Sequence, residues 1–118
     1  MPTSKDDPKS IATAFLQAWT RGDFDSARAL LDEQATFDGP LGHTEGADAY
    51  IKGVRGFAKI IRSIEIHQVV AEGDDVCVMY DILTNGTAGS LSTAGWYRVR
   101  NGKVLSVRAF FDPRPLLT

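Results

Sequence analysis

The sequence has a single cysteine, almost no net charge and no long hydrophobic segment. Cys77 has no second cysteine to pair with, which excludes an intramolecular disulfide bond and any metal site built from several thiolates. A formal net charge of -2 gives no basic surplus of the kind that binds nucleic acid. No run approaches the roughly 20 apolar residues that span a bilayer, and the N-terminal residues lack the apolar core of a signal peptide. We therefore expect a cytoplasmic protein whose partners are neither nucleic acids nor membranes.

Motifs for bound groups are also missing. No phosphate-cradling, nucleotide-binding or serine-hydrolase motif occurs, and His67 has no partner at the spacing of metal ligands. The sequence therefore predicts no metal and no cofactor. With 118 residues, 43% of them hydrophobic and 24% charged, the chain fits one globular domain over residues 1–118, of which the polar residues 1–6 are expected to be flexible.

The first half of the chain has the spacing of helices. Asp7 followed by Pro8 is a typical helix start, and apolar residues recur at helical spacing as far as Trp19. A short second helix is expected after Asp23, and a third over about residues 47–61. Between the second and third helices the chain turns extended and then loops at a Gly-Pro pair, which predicts one short strand there.

The second half of the chain has the alternation of strands. Four strands are expected at about residues 63–71, 76–84, 91–100 and 103–112, and Asn101-Gly102 between the last two predicts a two-residue hairpin turn. Helices followed by an antiparallel meander indicate an α+β domain whose helices pack on one face of the sheet. Because several of these strands are apolar on both faces, we expect a homodimer that covers the second face.

One carboxylate interrupts an apolar strand. Asp81 lies within VCVMYDILT, residues 76–84, whose two faces are otherwise apolar. An ionised carboxylate there is costly unless it is paired, hydrogen-bonded or neutralised by a shifted pKa. Two interpretations follow: Asp81 is a general acid or base, or it accepts structural hydrogen bonds from Tyr97, from a neighbouring hydroxyl or from water.

Several segments together resemble a known superfamily. They are WTRGDFD, ATFDGPLG, GADAYI and the terminal GWYRVRNGKVLSVRAFFD, and they resemble the nuclear-transport-factor-2-like superfamily over about residues 10–113. The SnoaL-like and ketosteroid-isomerase-like branches are the most similar. The resemblance implies an α+β fold in which a curved antiparallel sheet wraps around the N-terminal helices and forms a cone with an apolar pocket. It also implies dimers through the convex face of the sheet.

The resemblance implies which side chains face the pocket. The pocket-lining set is Phe15, Trp19, Phe37, Met79, Asp81, Leu83, Gly95, Tyr97, Val99, Val107, Ala109 and Phe111. The opposite parity gives the dimer face, which is Val78, Tyr80, Ile82, Trp96 and Phe110.

The acids of two active sites in this superfamily are largely missing here. The base and the two oxyanion donors of ketosteroid isomerases fall on Gly39, Phe15 and Gly95. The arginine and two aspartates of limonene epoxide hydrolases fall on Met79, Asp81 and Ala109, so only Asp81 remains.

We predict a protein that binds a small hydrophobic molecule, with two alternatives for its activity. In the first it is a cofactor-free isomerase, cyclase or hydrolase in which Asp81 transfers a proton and Tyr97 holds a substrate oxygen. His43, expected in a loop at the pocket mouth, is a further candidate acid or base. In the second it is a non-catalytic ligand-binding or dimerisation domain, in which Tyr97 is a core aromatic and His43 an exposed loop residue.

Overall fold

A computed structural model describes residues 7–117 as three helices packed on one six-stranded sheet. Residues 1–6, expected to be flexible, and residue 118 lie outside the described part. The helices are α1 (Pro8–Thr20), α2 (Phe24–Ala29) and α3 (Ala47–Ala58). The strands are β1 (Leu31–Gly39), β2 (Gly42–Glu45), β3 (Ile61–Glu72), β4 (Asp75–Thr84), β5 (Ser90–Arg100) and β6 (Lys103–Phe110), and a 3-10 turn covers Arg114–Leu116.

Side-chain caps explain where the first two helices begin. The Asp7 carboxylate accepts a hydrogen bond from the Ser10 backbone N–H at 3.3 Å, and Pro8 occupies the first turn of α1. The Asp23 carboxylate accepts from the Ser26 N–H at 3.1 Å in the same way. The predicted start of α1 and the second helix after Asp23 are confirmed.

The sheet is curved, unclosed and mixed, with strand order β2-β1-β6-β5-β4-β3. Every neighbouring pair is antiparallel except β1 and β6, which run parallel. The predicted α+β fold, with a curved sheet around the helices, is therefore confirmed, with a sheet that is mixed rather than wholly antiparallel. The hairpin turn is also as predicted, since Asn101 and Gly102 both have positive φ, 54° and 74°, as a two-residue turn of this type requires.

The core lies between the helices and the concave face of the sheet. Phe15 and Leu16 of α1 are fully buried there, and along β4 the buried residues are Val76, Val78, Tyr80, Ile82 and Thr84. Three residues assigned to the dimer face, Val78, Tyr80 and Ile82, therefore point inward instead. The register gives the reason: Val78 pairs with Gly95 and Tyr80 with Thr93, which are both buried residues of β5.

The outer face of the sheet carries the remaining two residues of the predicted dimer face. Trp96 is 37% exposed and Phe110 is 50% exposed, and the guanidinium of Arg108 lies 5.8 Å from each ring centroid.

Within residues 7–117, none of the helices has the length and hydropathy that a bilayer-spanning helix needs.

Candidate functional site

A cavity of about 450 Å³ lies between α3, the β1–β2 hairpin and the concave face of the sheet. Helices α1 and α3 contribute Trp19, Tyr50, Val54 and Phe57, and strands β4 to β6 contribute Tyr80, Ile82, Thr93, Gly95, Tyr97, Val107 and Ala109. Among the described residues, the lining includes no aspartate, glutamate, lysine or arginine. The cavity is therefore apolar, and its polar groups are hydroxyls and one histidine.

The sequence-predicted lining residues divide into three groups. Those that line the cavity are Trp19, Phe37, Gly95, Tyr97, Val107, Ala109 and Phe111. Phe15 and Val99 are fully buried in the core and are not part of the cavity wall. Met79, Asp81 and Leu83 lie on the outer face of β4, because their neighbours Tyr80 and Ile82 occupy the inner face and side chains alternate along a strand. The inward placement of these three residues was wrong.

Three tyrosines bring their hydroxyl groups together at the cavity wall. Tyr50, Tyr80 and Tyr97 are at most 5% exposed, and burial raises the pKa of all three phenols, with smaller contributions from one another. The Tyr97 hydroxyl lowers the pKa of Tyr80 and the Tyr80 hydroxyl raises that of Tyr97, so these two phenols are close enough to interact. The phenols are therefore neutral near pH 7, and a neutral phenol can donate its proton to a ligand oxygen.

Aromatic packing fixes the positions of these phenols. The Phe15 ring packs edge-on against Tyr50 at 5.4 Å and against Tyr97 at 6.4 Å between centroids. The Tyr97 ring also lies directly over Gly95, where a Cβ atom would come within 2.8 Å of Cε1 and 3.1 Å of the hydroxyl oxygen. Only a glycine allows Tyr97 to lie this close to its own strand.

A second glycine in the cavity wall has a ring lying across it in the same way. A Cβ atom at Gly39 would come within 2.7 Å of the Phe37 ring. Gly39 and Gly95 are two of the positions at which the resemblance places isomerase acids. In this chain both positions lie in the cavity wall and carry no carboxylate. Instead, an aromatic ring lies over each glycine.

His43 borders the mouth of the cavity, but its imidazole faces the other way. It pairs directly with Asp38 across the β1–β2 hairpin, and its Nδ1 lies 2.6 Å from the Asp38 Oδ1. The adjacent pair, Phe37 and Thr44, lines the cavity, so alternation places the imidazole and the Asp38 carboxylate on the opposite face. The hydrogen bond to Asp38 raises the pKa of His43. An acid or base role inside the cavity does not fit this orientation.

The structure gives Asp81 a partner that the sequence did not indicate. His67 lies at a bulge in β3, between Ile66 and Gln68, on the same outer face as Glu65 and Asp81. The His67 Nε2 lies 2.9 Å from the Asp81 Oδ2, and the Ser92 hydroxyl, opposite Asp81 in the register with β5, also lowers the pKa of this carboxylate. The hydrogen bond with His67 lowers the pKa of Asp81, and the same bond raises the pKa of His67. Asp81 is thus a satisfied group of the outer face.

The His67–Asp81 pair is expected to stabilise the fold only over a limited pH range. The His67 contribution is complete below the ordinary histidine pKa of 6.5 and is lost as pH rises through the raised value. The Asp81 contribution is complete above the ordinary pKa of 3.8 and is lost as pH falls through the lowered value. Asp81→Asn should therefore lower the pKa of His67 toward 6.5 in an NMR titration of the imidazole protons. An unchanged His67 pKa in this variant would contradict the pairing.

Within residues 7–117, no group of three or more histidine, cysteine or acidic side chains is placed to hold a metal ion.

The sequence analysis did not identify two of the cavity tyrosines. Tyr50 lies in the third predicted helix and was given no role in a site, and Tyr80 was assigned to the outer face. The hydroxyl group of each tyrosine could have indicated a site, because burying a hydroxyl in an apolar core without a hydrogen-bond partner costs free energy.

Comparison with known proteins places the chain in a family. Residues 12–107 match the model of the SnoaL-like domain. A solved NTF2-like protein of unknown function from Cytophaga hutchinsonii is 32% identical, covers 100% of both chains and has a TM-score of 0.84. No curated protein matches this sequence.

Two solved structures with lower identity share the fold alone. An LEH-like epoxide hydrolase from M. tuberculosis is 19% identical with a TM-score of 0.78, over 93% of this chain and 86% of its own. A putative ketosteroid isomerase from Kribbella flavida is 16% identical with a TM-score of 0.75, over 89% and 77%. From the match over residues 12–107, the chain belongs to the SnoaL-like domain family.

Proposed function

We propose that this domain binds a small, uncharged, largely apolar molecule whose oxygen atom accepts a hydrogen bond from the phenol of Tyr80 or Tyr97. The observation that carries the proposal is the cavity of about 450 Å³, which combines an apolar wall with three buried, neutral tyrosines. Sites for small organic ligands have volumes of roughly 300–1,000 Å³ and combine an apolar lining with a few directed polar groups.

The charge of the lining supports a neutral ligand. The described cavity wall includes no carboxylate, lysine or arginine, and His43 at its mouth is already paired with Asp38, so an ionised ligand would lose its hydration without gaining an ionic partner. A ketone or hydroxyl oxygen would instead exchange water for a phenol donor. The interaction between the Tyr80 and Tyr97 hydroxyls favours such a donor, because hydrogen bonds in a chain polarise one another.

Binding fits the cavity better than proton transfer by Asp81. The Asp81 carboxylate lies on the outer face, held by His67, and the His43 imidazole is held by Asp38. Isomerase, cyclase or hydrolase chemistry that relies on either group would need it to reach the inner face. The alternative of a non-catalytic ligand-binding domain therefore matches the cavity as built from the described residues.

The experiment compares two probes with the same carbon skeleton. α-Tetralone is a bicyclic ketone and tetralin is its hydrocarbon counterpart without oxygen, and calorimetric titration gives the Kd of each. We expect the wild type to prefer α-tetralone, and we expect Tyr80→Phe to reduce that preference about fivefold to tenfold, the value of one lost hydrogen bond. Tyr97→Phe should act in the same direction through Tyr80.

Asp81→Asn is the matched control, because Asp81 lies on the opposite face and its loss should leave the preference for the ketone unchanged. Failure of the wild type to bind either probe, or an undiminished preference in both tyrosine variants, would overturn the proposal.

Homodimerisation is a separate proposal, revised by the orientation of β4. The remaining apolar contacts on the outer face are centred on Trp96 and Phe110 with Arg108 between them. We propose that a second copy of the chain covers this face, and sedimentation equilibrium measures whether the protein is a dimer in solution.

A cytoplasmic location stays a prediction.

A further inference from the structure

We propose that the Thr44 hydroxyl is a second polar contact for the ligand, so that the ligand carries two oxygen functions. One oxygen lies at the tyrosine phenols and the other at strand β2. This inference rests on the proposed function and narrows it from any small neutral molecule to one with oxygen in two places.

The first observation is an unpartnered hydroxyl at the cavity wall. Thr44 pairs with Phe37 across the β1–β2 hairpin, and both residues line the cavity. The Thr44 Oγ1 atom is buried and has no hydrogen-bond partner among the described residues. Buried polar side-chain atoms in native proteins nearly always have a partner, so an exception calls for an explanation.

The second observation is that a hydroxyl is a costly choice at this position. Valine has nearly the same shape as threonine, favours β-strands equally well and has no polar atom to leave unsatisfied. The cavity also offers a direct comparison in Thr93, whose hydroxyl donates to the Leu91 carbonyl at 3.1 Å. The hydroxyl of Thr93 is explained by the protein itself, whereas that of Thr44 is explained by a group that enters the cavity.

The geometry of threonine lets such a group reach the hydroxyl. Rotation about χ1 moves Oγ1 to another staggered position, so the side chain can turn its hydroxyl into the cavity without moving the backbone. A hydroxyl both donates and accepts, and Thr44 therefore suits either a hydroxyl or a carbonyl group of the ligand. The phenol of Tyr80 supplies a donor, which suits a ketone or hydroxyl at the other position.

The test uses Thr44→Val and a matched set of probes. α-Tetralone carries one oxygen, and three ring-hydroxylated α-tetralones carry a second at different positions around the bicycle. At pH 6, where these hydroxyls are neutral, we expect the wild type to bind at least one hydroxylated probe more tightly than α-tetralone. Thr44→Val should reduce that gain about fivefold to tenfold and raise the urea midpoint of unfolding, because it removes an unsatisfied buried group.

Thr93→Val is the stability control, and it should lower the urea midpoint because it removes a satisfied hydrogen bond. A lower midpoint for Thr44→Val would mean that the hydroxyl has a structural partner, and would overturn the inference. Equal loss of affinity for plain and hydroxylated probes, or no gain from any added hydroxyl, would overturn it while leaving the proposed function intact. No binding of any probe by the wild type would overturn both.

Discussion

Replacing Phe15 with alanine is expected to lower the free energy of unfolding by about 3–5 kcal/mol, as for other large-to-small changes at fully buried aromatic residues. Phe15 is 0% exposed, and its ring packs edge-on against both Tyr50 and Tyr97. The variant should also lose affinity for α-tetralone, because the two phenols lose the ring that holds them in place. Urea denaturation and calorimetric titration measure the two effects.

Phe110→Ala is the control for this prediction, since Phe110 has the same side chain on the outer face and is 50% exposed. Its effect on monomer stability should be at most about 1 kcal/mol, as is usual for exposed positions. Equal destabilisation by the two variants would contradict the assignment of Phe15 to the core and Phe110 to the surface.

Gly95→Ala is expected to destabilise the protein by about 1–3 kcal/mol and to change the cavity at the same time. The added Cβ atom would lie 2.8 Å from the Tyr97 Cε1, closer than such contacts allow, so the ring must move. The Tyr97 ring is 2% exposed and is confined by Phe15 on one side, which leaves the cavity as the direction of movement. Affinity for α-tetralone should fall together with stability.

Gly53→Ala is the matched control, because Gly53 also lines the cavity but has open space where the Cβ atom would be placed. Gly53 lies inside α3, where alanine is favoured over glycine by roughly 0.5–1 kcal/mol, so this variant should be more stable than the wild type. A Gly95→Ala protein as stable as the wild type would contradict the placement of the Tyr97 ring.

The sequence predicts which side chains of β5 point toward the cavity and which toward solvent, because the two faces of this strand differ in polarity. Arg98 and Arg100 alternate with Tyr97 and Val99, and the charged pair marks the solvent side. Within residues 76–84 of β4 the one charged residue is Asp81, which was assigned to the cavity as a catalytic group. The rest of its face, Cys77, Met79 and Leu83, is about as apolar as the residues between them. An apolar side chain on a sheet surface costs little, so periodicity alone could not orient β4.

Long-range pairing accounts for the rest of what the sequence did not indicate. The parallel contact between β1 and β6 joins segments at opposite ends of the chain and has no local signal. The contact between His67, at a bulge in β3, and Asp81 joins residues fourteen positions apart on two strands. Alternation places His67 on the same face as Glu65, but the register between β3 and β4 decides which of them lies beside Asp81, and alternation does not give that register.

A neutral ligand that lies inside the cavity, with its oxygen at the tyrosine phenols, can be observed directly. The most direct measurement is a crystal structure of the wild-type protein with α-tetralone bound. The account predicts the ketone oxygen within hydrogen-bond distance, about 2.5–3.0 Å, of the Tyr80 or Tyr97 hydroxyl, with the aromatic ring against Trp19 and Phe57. α-Tetralone bound on the outer face of the sheet, or bound in the cavity with its oxygen directed away from all three phenols, would contradict it.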